Sequence, residues 1–259
     1  RFPPLLPHLF HFFLEMLVPA SFLDTGSVIP TNTRNLLMAC RPWSLPASML
    51  PTVVALAHHS QATDLTLSLS PAAALTVLGV VCAHAGANLL NTRLDFSLGR
   101  DRRKYADARI VCEDRTLVDG VVTSTAVDVL TLLFFGVSLL TFAALSYGGL
   151  SPASFADLAY WTGVGATIAV AYTAVLKPLA LGDAAIFVAY GPALTASVQC
   201  AVYGRADPLS ALSVAIGCIT VAVLHANNVR DMQADTMAGV RTVANLLGRR
   251  GSTVYFALL

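Results

Sequence analysis

Long apolar stretches alternate along the chain with short polar ones, at a spacing that suits helices crossing a bilayer. A hydrocarbon core of about 30 Å takes roughly 20 mostly apolar residues per helix. Six stretches approach that length, at 42–57, 71–94, 129–147, 158–176, 184–203 and 209–229, and a seventh begins near Thr253. The first is short and interrupted by Pro46 and Pro51, so residues 35–40 are expected to lengthen it as a tilted lead into the membrane. Ser70-Pro71 and Asp207-Pro208 each place a capping side chain before a proline, which predicts the starts of the second and sixth helices.

The pattern predicts an all-α membrane protein, a transmembrane helix bundle with about six full spans here. Composition agrees, because 12% charged and 56% apolar residues exclude an ordinary soluble domain. Residues 1–34 mix prolines and histidines with apolar side chains and lack the basic start and cleavage site of a signal peptide, so they are expected to form a disordered or interfacial lead to a membrane domain over 35–259. A first residue Arg1 and a last residue inside an apolar run suggest a fragment of a longer protein. Cys40, Cys82, Cys112, Cys200 and Cys218 form no CxxC pair, which argues against a disulfide framework and against zinc.

Charge adds an orientation. If the spans alternate, every lysine and arginine except Arg205 falls on one face, the one that carries the lead and the loops after the second, fourth and sixth helices. The positive-inside rule makes that face cytosolic.

Two acidic motifs lie where the second and sixth helices reach it. Asn88, Asn91 and Asp95 share one helical stripe, as do Asn227, Asp231 and Asp235. The segments resemble each other as a weak internal repeat, with Asn91-x3-Asp95-x3-Gly99 parallel to Asn227-x3-Asp231 and the exit repeated in Asp235-x3-Gly239. Carboxylates in a membrane helix are costly unless they line a wet cavity or bind a cation. Oxygen ligands without histidine or cysteine at ligand spacing favour Mg²⁺ shared with substrate phosphates. Arg230, Arg241 and Lys177 stand near enough in sequence or topology to hold the remaining phosphate charge. A metal-diphosphate site in an apolar cavity suits ionisation of an allylic diphosphate and alkylation of an electron-rich ring.

These residues resemble the paired motifs of the UbiA superfamily of intramembrane prenyltransferases, in its menaquinone-forming branch and most nearly its animal members. The likeness runs through Arg41-Pro42-Trp43-Ser44, Asn91-Thr92, Asp95-Phe96-Ser97, Tyr172-Thr173, Gly182-Asp183 and Asn228-x-Arg230-Asp231-Met232. It implies a UbiA-type bundle of nine helices in the full-length protein, in endoplasmic reticulum, Golgi or mitochondrial membranes. It also implies Mg²⁺, geranylgeranyl diphosphate and a naphthoquinol such as menadiol, giving a menaquinone (vitamin K), with protein partners in sterol or isoprenoid regulation and no nucleic acid. Carried over by position, the metal ligands would be Asp95, Asp101, Asp231 and Asp235. Asn88, Asn91, Asn228, Arg230, Lys177 and Arg241 would hold the diphosphate, and Tyr172 would stand with Asp95, Asp231, Asp235 and Lys177 in the catalytic set.

Departures and competing readings accompany the likeness. Thr92 stands where bacterial relatives carry an aspartate, Arg93 where an aromatic residue is expected, and 106–113 reads as extra loop sequence. Lys177 either binds phosphate or anchors a helix end; Asn88 and Asn228 either bind ligand or tie helices together. Tyr172 either cradles a cation or marks the interface. Asp183 is expected to be an N-cap, and His84 and His225 to be hydrogen-bonded packing residues. Membrane acids also suit a cation-coupled transporter, and other ring acceptors, 4-hydroxybenzoate or 1,4-dihydroxy-2-naphthoate, suit the same chemistry.

Overall fold

The structure is a computed structural model that describes residues 31–60, 70–100, 116–148 and 152–259. Every regular element among them is helical. Residues 1–30 of the expected 1–34 lead, Asp101 and the 106–113 segment lie outside the described residues, and the rest of that lead, 31–34, is helical.

Helix α1 (Thr31–Ala39) is followed by Arg41 in the left-handed region, φ 52°, and a short 3-10 turn over Pro42–Ser44. Helix α2 (Pro46–Ser60) then begins. The expected first span is therefore two helices around a corner. Its apolar part, Pro46–Ala57, is shorter than a bilayer requires, and among the described residues five other helical segments are long and apolar enough to cross a membrane.

These five are longer than the apolar runs alone suggested. They comprise α3 (Pro71–Ser97), α4 (Ser124–Tyr147), α5 (Pro152–Ala171), the pair α6 (Gly182–Val188) and α7 (Leu194–Tyr203), and α8 (Ala211–Met237). Polar last turns continue α3 and α8 past their apolar stretches, and those turns carry the acidic motifs. Helix α9 (Val243–Leu258) follows, interrupted at Gly248 by a non-helical backbone.

Ser70 caps α3 as expected, accepting from the Ala73 amide at 3.2 Å. The second capping expectation fails. Helix α8 is capped by Ser210, which accepts from the Ser213 amide at 3.2 Å, whereas the Asp207 amide donates to Gln199 Oε1 at 2.8 Å. Asp207 and Pro208 form the turn before the helix because a hydroxyl two residues beyond Pro208 supplies the cap instead.

Two π turns widen the helices on the interior side. Tyr172–Leu176 continues α5, with the Lys177 amide donating to the Tyr172 carbonyl, and Ala189–Ala193 joins α6 to α7 around Pro192. Proline lacks an amide proton, and the wider turn accommodates that loss.

Close approach between helices rests on small residues. A Cβ at Gly217 of α8 would lie 2.7 Å from the Phe187 ring, and one at Gly191 would lie 2.8 Å from the Ser213 carbonyl oxygen. This contact fixes α6 and its following π turn against α8.

Candidate active site

Both motif helices end in the same way. In α3 the Arg100 amide donates to the Asp95 carbonyl at 2.9 Å and the Gly99 amide to the Phe96 carbonyl at 3.1 Å. In α8 the Val240 amide donates to the Asp235 carbonyl at 2.8 Å and the Gly239 amide to the Thr236 carbonyl at 3.2 Å. Gly99 and Gly239 both sit at φ 70°, completing two Schellman motifs.

This common exit corrects the expected register of the repeat. Asp95 is the counterpart of Asp235, Asn91 of Asp231 and Asn88 of Asn228, so the second motif carries an acid where the first has an amide. Asp95 and Asp235 lie in the last turns, where the helix dipole presents partial negative charge. Carboxylates there call for neighbouring cations.

Asp95, 7% exposed, has them. Lys177 Nζ donates to its Oδ2 at 3.0 Å, and Arg100 Nη1 stands 3.5 Å from its Oδ1. Arg100 also donates to the Thr173 carbonyl at 2.6 Å, while Thr173 Oγ1 donates to Asn91 Oδ1 at 2.7 Å. These bonds lock the end of α3 onto the first π turn.

Lys177 also lines a small pocket with Tyr172, Gly182, Asp183, Asn228, Arg241 and Thr242. One lysine thus touches an acid of the first motif and shares a cavity with an amide of the second. The two motifs converge on this lysine.

Other predicted residues have different surroundings. Arg230 makes a two-pronged contact with its neighbour Asp231, at 2.8 and 2.6 Å. Asn88 donates to the Cys40 carbonyl at 3.1 Å and to Ser44 Oγ at 2.8 Å, tying α3 to the corner before α2. Arg41 donates to Thr92 at 3.0 Å, and Arg93 turns outward to Asp128 of α4 at 3.0 Å. His84 is held by Ser48 at 2.7 Å and Tyr190 at 3.2 Å, the packing role expected of it.

Asp183 is not a cap. Leu181 occupies that position without a side-chain bond, and Asp183 instead faces buried His225, with Oδ2 3.1 Å from Nδ1. Sequence reasoning missed this pair, as it missed Arg100. An acid at the start of an apolar run, six residues after Lys177, was the available signal for Asp183, and adjacency to Asp95 across the helix exit was the signal for Arg100.

The sequence profile of the UbiA prenyltransferase family matches residues 48–259. The chain belongs to that family. A Drosophila melanogaster family member, UbiA prenyltransferase domain-containing protein 1 homolog, is 35% identical over 229 residues, covering 86% of this chain and 60% of its own length. The Danio rerio and Homo sapiens proteins named UbiA prenyltransferase domain-containing protein 1 are each 33% identical, with 86% of this chain and 64% of theirs covered. This chain thus spans somewhat under two thirds of these relatives. In fold it is similar to a UbiA homolog from Archaeoglobus fulgidus solved with GPP and Mg²⁺, at TM-score 0.65 and 18% identity, covering 86% of this chain and 73% of that one. The same archaeal homolog solved with DMAPP and Mg²⁺ gives TM-score 0.64.

Proposed function

We propose that this protein transfers a polyprenyl group, geranylgeranyl in the first instance, from its diphosphate to a naphthoquinol ring of the menadiol type. The observation that carries this reading is Lys177, bonded to Asp95 while lining the pocket that holds Tyr172, Asn228 and Arg241. A diphosphate between the two motif helices meets Lys177 and Arg241 as cations and Asn228 as a neutral donor.

Mg²⁺ fits the donor set. Among the described residues no three histidine, cysteine, aspartate or glutamate side chains gather to hold an ion alone. Asp95, Asp231 and Asp235 offer oxygen ligands from two helix ends, which suits an ion completed by phosphate oxygens. Bound there, Mg²⁺ would neutralise charge on the departing diphosphate. GPP and DMAPP with Mg²⁺ in the archaeal homolog support the same substrate class for this chain.

The residues of the chain divide the remaining work. Lys177 and Arg241 hold phosphate oxygens; the Tyr172 ring stabilises the allylic cation through its face; and the surrounding apolar helices keep water from capturing it. The choice of a naphthoquinol among electron-rich rings rests on the likeness of the motif residues to the menaquinone-forming branch, and placement of the motifs on the cytosolic side rests on the basic-residue asymmetry.

Product analysis tests the whole reading. Full-length protein in liposomes, given Mg²⁺, menadiol together with 4-hydroxybenzoate, and a mixture of isoprenyl diphosphates, is expected to yield a prenylated naphthoquinol by mass spectrometry. Transfer only to 4-hydroxybenzoate would reassign the acceptor, and absence of any prenylated ring would remove the activity.

A further inference from the structure

Asp183 lines the pocket beside Tyr172 and Lys177, yet its own partner is a histidine rather than a lysine or arginine. His225 is fully buried and Asp183 is 4% exposed, and Tyr255 of α9 packs against the histidine of the pair. His225 Nδ1 faces Asp183, and its Nε2 has no hydrogen-bond partner among the described residues. The Tyr255 ring covers the imidazole edge to face, with centroids 4.6 Å apart. The imidazole therefore fixes the carboxylate without supplying a permanent charge.

Two of the other acids near the pocket differ. Asp95 is bound by Lys177 and Arg100, and Asp231 by Arg230. A carboxylate clamped by a permanent cation is a poor proton acceptor. Gly182 brings α6 so close to Tyr172 that a Cβ there would lie 3.3 Å from the tyrosine hydroxyl, which puts Asp183 next to the ring proposed to face the allylic cation.

Resting on the prenyl transfer described above, we propose that Asp183, oriented by His225 and Tyr255, is the catalytic base that takes the proton displaced from the aromatic acceptor. The allylic C–O bond breaks and its electron pair leaves with diphosphate. The ring carbon bonds to the prenyl carbon, its C–H pair returns to the ring, and the proton passes to the Asp183 carboxylate. No oxidant or reductant is required. His225 and Tyr255 are positioning residues.

The test compares menadiol with menadiol deuterated at the carbon that is prenylated, using full-length protein in liposomes with Mg²⁺ and geranylgeranyl diphosphate. In Asp183→Asn the transfer rate should fall by about 100-fold or more, Mg²⁺-dependent diphosphate binding should persist, and a primary isotope effect larger than that of the unsubstituted protein should appear. Asp183→Glu should recover part of the rate. Unchanged transfer in Asp183→Asn overturns the assignment, because bound diphosphate or water is then the base; a loss of transfer with no change in isotope effect also overturns it. If Asp183→Asn does not fold, His225→Asn, whose amide still donates to the carboxylate, decides the matter: a raised isotope effect supports the assignment and an unchanged one overturns it. Failure of the unsubstituted protein to prenylate any ring is a separate result, which removes the activity itself.

Discussion

Asp95 holds two cations at once, and its substitution has two separable effects. Asp95→Asn keeps the shape but removes the charge that Lys177 and Arg100 neutralise. Mg²⁺-dependent transfer is expected to fall by about 100-fold or more, the range seen when one preorganised electrostatic group is lost, with the deficit only partly relieved by excess Mg²⁺ in a titration. Tyr172 offers a sharper contrast. If its ring face supports the allylic cation, Tyr172→Phe should keep most of the activity and Tyr172→Leu should lose roughly tenfold in kcat, since such contacts contribute about 0.5 to 2 kcal/mol. Equal losses in the two variants would instead assign the hydroxyl.

At the scale of elements, two glycines do different work. A methyl group on Gly239 would meet nothing within 4 Å, so only the φ of 70° resists substitution there. Gly239→Ala should cost about 1 kcal/mol in stability and, by loosening the exit of α8, should raise the Mg²⁺ concentration needed for transfer if Asp235 is a ligand as proposed. Gly217→Ala meets the Phe187 ring and should cost about 1 to 3 kcal/mol from overpacking, visible as a lower unfolding temperature in detergent. Helix positions, the Ser70 cap and the acidic stripes were all legible because they depend on local periodicity and capping chemistry. The corner at Arg41 was not, since nothing in residues 35–57 marks a left-handed arginine. The repeat register was misaligned because an asparagine in one motif answers an aspartate in the other, and only the matched helix exits reveal the pairing. Asp183 with His225, and Lys177 with Asp95, join residues far apart in sequence, where periodicity carries no information.

For the whole molecule, the basic-residue asymmetry is the ground on which we propose that the motif face is cytosolic. A single reactive cysteine introduced at Leu98 should react with a membrane-impermeant maleimide added to the cytosolic side, and one at Arg205 only after the membrane is opened. Reaction of both from the same side would break the alternation of spans.

Lys177 and Arg100 occupy the oxygens of Asp95 that the divalent ion proposed above would reach. A metal drawing on those oxygens would compete with the ammonium and guanidinium groups for their lone pairs, and a pyrophosphate is the natural new home for a cation so loosened. The two ligands should therefore recruit each other: titrating either one alone should give weak saturation, and each should tighten the other by the same factor.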